Sequence, residues 1–206
     1  MKILVTGFEP FNGRDINPSQ LILERLKEPK DTILIKKLLP VEFKETTKIL
    51  KALLREHQPD VVLSLGQAGN HPEISVERVA INLDNVRSSN GKCEVSDNAG
   101  DTPVDMPIVE GAPAAYFATV PVWDLVTEIQ KAEVEASVSY TAGTYVCNHV
   151  MYTVLHEAAI NYPNMKAGFI HVPFLPEQNP VRGFTMKLED MVKGIQAGVE
   201  FICAQK

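Results

Sequence analysis

An apolar run over residues 2–6 stops at Gly7-Phe-Glu-Pro-Phe-Asn-Gly13, which gives it the length and boundary of a strand. Asn17 then precedes Pro18, a capping side chain before proline at a first helical position. Leu21, Ile22 and Leu26 carry that helix to about residue 27. Residues 32–39 read as a second strand, and Ile49, Leu50, Leu53 and Leu54 form the inner face of a helix over 43–56. Beyond Pro59-Asp60, residues 61–65 make a continuous, almost wholly apolar run of the kind buried on both faces of a sheet. Ile74-Ser-Val-Glu-Arg-Val-Ala-Ile-Asn82 is rich in β-branched residues and reads as extended chain. Residues 85–113 are polar and rich in Gly, Pro and Asp, a long connection of the functional or mobile sort. The pattern then predicts a helix from about Val120-Pro121 to 134, a strand over 136–140, a helix over 147–160, a strand over 167–172 and a last helix over 185–203.

Strands alternating with helices predict an α/β fold, a largely parallel sheet covered on both faces, with a mixed or antiparallel part added by the extended segment at 73–82. No repeat or interdomain linker interrupts the chain, so residues 1–206 are expected to form one domain. In open α/β sheets, sites lie outside the carboxyl ends of the strands. Five loops are expected to leave by that edge: 7–13, 66–72, 84–88, 140–147 and 171–178. Cys147 and His171 should therefore meet there.

Composition narrows the chemistry by exclusion. The 206 residues are 45% hydrophobic and 22% charged, with a formal net charge of −6. No Lys/Arg cluster is present, which argues against nucleic acid as a partner. No run approaches the ~20 apolar residues of a membrane span, and the amino-terminal run is too short for a signal peptide. Cys93, Cys147 and Cys203 lack disulfide-like spacing and suggest a reducing, cytoplasmic setting. Neither CxxC nor HExxH occurs, so nothing asks for a metal.

Cys147 lies where a strand has ended and a helix is about to begin, in Ser139-Tyr-Thr-Ala-Gly-Thr-Tyr-Val-Cys-Asn-His149. Exposed N–H groups and the positive end of a helix favour a thiolate at such a position. A small buried residue filling space is the plain alternative. A nucleophilic cysteine needs a base held by a third polar group. His149 is two positions along the helix and His156 nine, spacings that face away from Cys147. His57 belongs to the other sheet edge, and His71 to a flexible-looking loop. His171, ending the apolar strand Gly168-Phe-Ile-His-Val-Pro173, is the best candidate, with a core histidine bonded to backbone as its alternative. Glu77 is the leading third group, a carboxylate in mid-strand among Ile74, Val76, Val79 and Ile81 that needs a partner if buried. Asp84 and Glu9 are weaker options. Arg78 is a poor partner for Glu77, since strand neighbours point to opposite faces.

Thr6-Gly-Phe-Glu-Pro-Phe11, Gly66-Gln-Ala-Gly69, the stretch 74–82, the stretch 139–149 and Gly168-Phe-Ile-His-Val-Pro173 together closely resemble pyroglutamyl peptidase I, the cysteine peptidase family also called pyrrolidone-carboxylate peptidase. The motifs occur in the family's order from residue 1 to about 178. The resemblance implies an α/β/α sandwich, often a homotetramer, that removes amino-terminal pyroglutamate from peptides and needs no cofactor. It implies Cys147 as nucleophile, His171 as base and Glu77 as the group orienting it. It further implies that Arg87 helps form the oxyanion site, that Phe8 and Phe11 line the slot for the substrate ring, and that the backbone at Gln67 and Val146 bonds the lactam.

That set suits a neutral five-membered lactam: aromatic walls for its flat body, backbone groups for its N–H and C=O. An ordinary charged amino terminus would be rejected on desolvation cost. Three departures from the family pattern fall near the site. Phe11-Asn-Gly13 replaces Phe-Gly-Gly, Gly69-Asn-His71 replaces Gly-Gly-Arg, and residues 88–96 look like an insertion after Arg87 that carries Cys93. They leave open a relative that binds a pyroglutamyl-like ligand without turnover.

Overall fold

Residues 1–87, 95–178, 181 and 183–205 are described by the computed structural model; residues 88–94 of the insertion at 88–96, Cys93 among them, lie outside the described residues. The main sheet is built from β1 (Lys2–Phe8), β2 (Ile33–Leu39), β3 (Val61–Gln67), β4 (Ile74–Glu77), β7 (Ala136–Ser139) and β8 (Lys166–Val172), in the order β2-β1-β3-β8-β4-β7. β5 (Val79–Ile81) and β6 (Ala115–Phe117) form a separate antiparallel pair. The apolar runs read in the sequence are the central strands. β1, β3 and β8 are buried almost end to end, as strands covered on both faces must be.

Among the described residues, five α-helices cover the sheet. α1 (Pro18–Arg25) and α3 (Val122–Lys131) pack against α5 (Leu188–Ala204), while α2 (Phe43–His57) packs against α4 (Val146–Ile160), which lies on β8. The protein is thus an α/β fold with a largely parallel, mixed sheet flanked by helices. Asn17 caps α1 as its position suggested, its Oδ1 accepting from Ser19 N at 3.0 Å. α2 is capped from a distance: Phe43 N donates to Asp97 Oδ2 at 3.0 Å, and Asp97 Oδ1 accepts from Ala99 N and Asp101 N. One buried carboxylate in the long connection therefore both folds its own turn and fixes the start of a helix.

The sheet corrects one expectation. β4 is antiparallel to β8 and β7 is parallel to β4, so only β1, β3 and β8 of the loop-bearing strands present their carboxyl ends at the same edge. The reason is chain length. Residues 68–73 join β3 to β4, too short for the crossover of a dozen or more residues that a parallel partner needs. The chain must re-enter the sheet from the edge at which it left.

Smaller differences have local causes. The extended stretch 74–82 divides at Arg78, whose N donates to Ser139 O and whose O accepts from Ala118 N, so that β4 and β5 join different sheets. β6 has no counterpart in the sequence reading, being three residues without alternation. α3 ends at Lys131, and Glu133 takes a left-handed φ of 57° to turn the chain into β7. α5 begins at Leu188 rather than near 185, because Phe174 bridges Thr185 and Met186 N donates to Phe174 O. Among the described residues, no helix is long and apolar enough to cross a membrane.

Candidate active site

β8 carries His171 near its carboxyl end, and β4 runs beside it with Glu77 opposite Phe169. His171 is two residues beyond Phe169, so its side chain is on the same sheet face, diagonal to Glu77. His171 Nδ1 and Glu77 Oε1 lie 2.7 Å apart. Both are buried, at 6% and 2% exposure, and Glu77 Oε2 has no hydrogen-bond partner among the described residues. With Nδ1–H donating to Glu77, Nε2 is left on the other side of the ring, and the Cys147 sulfur acts on that ring to raise its proton affinity.

Cys147 is the second residue of α4 and only partly buried. Tyr145 caps that helix with no side-chain acceptor, so the first-turn N–H groups around the sulfur remain free donors. The loop 140–145 brings the chain back from the end of β7 to this point. Its approach needs a glycine: a Cβ on Gly66 would come within 2.9 Å of Cys147 Sγ and 2.8 Å of the Phe169 ring. Burial works to strip the proton from His171, yet negative charge on Cys147 and Glu77, with a hydrogen bond to each, outweighs it and raises the pKa from 6.5 to about 10. A charged imidazolium is the state this favours.

Cys147, His171 and Glu77 line one pocket of about 240 Å³ together with Phe8, Phe11, Gln67 and Val146. Arg87 is not brought into it. The guanidinium is exposed and lines a neighbouring depression with Asn12, Asn85 and Thr144, the two hollows sharing Tyr145 as a wall.

The family model described as pyroglutamyl peptidase matches residues 1–205. The chain belongs to this family of cysteine peptidases. It is 46% identical to a pyrrolidone-carboxylate peptidase of Treponema denticola, over 98% of this chain and 93% of that one. It is 49% identical to one of Thermococcus onnurineus, over 95% and 96%. Among solved structures, pyroglutamyl peptidase I of Bacillus amyloliquefaciens superposes with a TM-score of 0.91 at 36% identity, covering 99% of this chain and 97% of that one.

Against the family's motifs, the departures at the site take modest forms. Asn12 adopts φ 54°, a left-handed conformation that asparagine tolerates better than most residues, so glycine is dispensable there. Asn70 and His71 line the pocket's mouth. Two of the other histidines have side-chain partners of their own. His149 holds Asp84 Oδ2 through Nδ1 at 2.8 Å and Thr47 Oγ1 through Nε2 at 2.6 Å, and His156 pairs with the Tyr116 hydroxyl. Arg78 stacks on Phe117 and donates to Ala118 O, away from Glu77.

The residues beside Cys147 have a role that the sequence reading passed over. Asn148 Oδ1 accepts from Ile81 N at 2.9 Å, and its Nδ2 donates to Ile81 O at 2.9 Å and Leu83 O at 3.0 Å. Thr144 and Asn85 exchange further bonds. The segment 81–87 is thus stitched to both sides of Cys147. A polar residue directly after Cys147 in an otherwise apolar helix was the available signal.

Proposed function

We propose that the chain removes an amino-terminal pyroglutamyl residue from peptides through an acyl-enzyme, with Cys147 as nucleophile, His171 as acid and base, and Glu77 orienting His171. The observation that supports this best is that Glu77 Oε1 holds His171 Nδ1 at 2.7 Å while His171 and Cys147 line the same small, largely apolar pocket and Cys147 raises the proton affinity of the ring. The thiolate attacks the carbonyl that links pyroglutamate to the next residue. The resulting oxyanion meets the free N–H groups of the first turn of α4, a type of contact commonly worth ~3–4 kcal/mol per donor. His171 gives its proton to the leaving amine as the C–N bond breaks, leaving a thioester. Water, deprotonated by His171, then releases pyroglutamate and restores the thiol.

Phe8 and Phe11 flank the lactam, and the backbone of Gln67 and Val146 bonds its N–H and C=O. Arg87 supports the oxyanion, a role that requires its side chain to turn from the depression it lines. One domain, residues 1–206, carries all of these parts. Exposed Phe117, Trp123 and Ile160 support a homo-oligomer, dimer or tetramer. The free thiols of Cys147 and Cys203 support a reducing, cytoplasmic setting.

Release of a chromophore from a pyroglutamyl amide tests the reading, with and without thiol alkylation. Turnover in the intact protein, abolished by alkylation and by Cys147→Ser, is the expected result. Activity surviving either treatment removes Cys147 as nucleophile. Ligand binding without turnover in the intact protein favours the binding-only reading.

A further inference from the structure

Gln178 ends a single turn of 3-10 helix (Pro176–Gln178) beyond β8, and its carboxamide is fully engaged. Its Oε1 accepts from Leu175 N at 2.8 Å, and its Nε2 donates to Ile16 O at 3.2 Å and to Gln67 Oε1 at 2.8 Å. The two backbone partners leave no choice of amide orientation, because an N–H can only donate and a C=O can only accept. With Gln178 presenting a donor, Gln67 must turn its oxygen toward it. The Nε2 of Gln67 then points the other way, with no acceptor among the described residues, on a residue that lines the pocket holding Cys147 and His171.

We infer that Gln178 is a positioning residue that fixes the Gln67 carboxamide so that its NH2 group donates to the ring carbonyl of the bound lactam. This rests on the pyroglutamyl reading of the site and adds a side-chain contact to the backbone ones. The contact is discriminating. The ring carbonyl is what separates pyroglutamate from an amino-terminal proline, and a donor held at that point leaves a proline ring with nothing to accept from it. A flipped carboxamide would set oxygen against oxygen. Gln178 thus ties the loops after β1, β3 and β8 together and sets the polarity of the pocket in the same contact.

The test compares Gln178→Glu, Gln178→Leu and Gln67→Leu with the parent, reading 2-pyrrolidone and cyclopentanone affinity by ligand-observed NMR, so that the result does not depend on turnover. A carboxylate at 178 accepts from Gln67, drawing its NH2 away from the pocket. Leucine at 178 removes the constraint without reversing it. Gln178→Glu and Gln67→Leu are expected to weaken both ligands about tenfold or more, and Gln178→Leu by less. Cyclopentanone, which keeps the carbonyl and lacks the N–H, should lose as much as 2-pyrrolidone. With a pyroglutamyl amide, the loss should fall on KM more than on kcat. Equal weakening in Gln178→Glu and Gln178→Leu, matched by equal falls in Tm, would make Gln178 a loop anchor only and overturn the inference. So would unchanged affinity in Gln67→Leu. Failure of the parent to turn over the amide, with these affinities moving as stated, would count against the peptidase reading and not against the contact.

Discussion

Replacing Cys147 with alanine should release the proton that the site holds on His171. Three influences act on that ring. Burial opposes the charged form and is the largest of them; the Cys147 sulfur opposes burial by charge and by hydrogen bond; Glu77 adds to the same side. Together they raise the pKa from 6.5 to about 10, which at 1.36 kcal/mol per pH unit is roughly 5 kcal/mol in favour of the imidazolium. Alanine removes both contributions from the sulfur and leaves burial in place, with Glu77 alone against it. The proton affinity of His171 should then fall at least tenfold, so its titration moves down toward the ordinary range. The measurement is a pH titration of the histidine ring signals by NMR over about pH 5–11, with His171 assigned through its own replacement. A midpoint in the alanine variant within a few tenths of the parent's would refute the ion-pair account and leave burial and Glu77 as the whole explanation. The same balance fixes the sign for activity. In the proposed mechanism the His171 imidazolium protonates the leaving amine; it is present below about pH 10 and lost above it, so kcat/KM should decline on the alkaline side near that value.

Other consequences follow from single contacts. Gly66→Ala places a methyl 2.9 Å from the Cys147 sulfur and against the Phe169 ring, and should lower kcat by about a hundredfold while KM changes less; a rate within a factor of two would mean the sulfur has room to move. Asn148→Ala strands backbone groups of Ile81 and Leu83, and at ~1 kcal/mol per lost bond should cost about 2–3 kcal/mol in urea unfolding. His149→Ala leaves Asp84, only 7% exposed, without its ring partner and should cost about 3–5 kcal/mol by the same measurement. Arg87→Ala should leave stability unchanged and reduce kcat by about tenfold or more if the guanidinium reaches the oxyanion; unchanged kcat would place Arg87 outside the mechanism.

How much of this was legible in the sequence depended on whether the cause was local. Helix spacing alone separated Cys147 from His149 and His156, and a carboxylate in mid-strand among β-branched residues marked Glu77. The antiparallel or mixed part expected of residues 73–82 is β4, whose reversal follows from the shortness of residues 68–73; no local pattern showed that β7 pairs with β4 and so ends at the opposite edge. β6 left no periodic trace, since it exists by pairing with β5 across a long connection. Gln178 was beyond reach for a different reason. Its partners at Ile16 and Gln67 lie 162 and 111 residues away, and no local pattern encodes a hydrogen bond over such a separation.

The start of α4 shows how a thiol at a helix end can be held firmly without being enclosed. Successive helical residues turn by ~100°, so Cys147, Asn148 and His149 project in three directions from one turn. The first faces the pocket, the second locks onto the backbone of β5, and the third grips Asp84 and Thr47. A thiol needs access to substrate and therefore cannot be fixed by packing on its own open side. Its two neighbours supply the fixing, through polar contacts that are directional where apolar packing is not. The same contacts secure the segment 81–87 that leads to Arg87. His149, which helical spacing turns away from Cys147, is thus the residue that keeps α4 and the neighbouring loop in register.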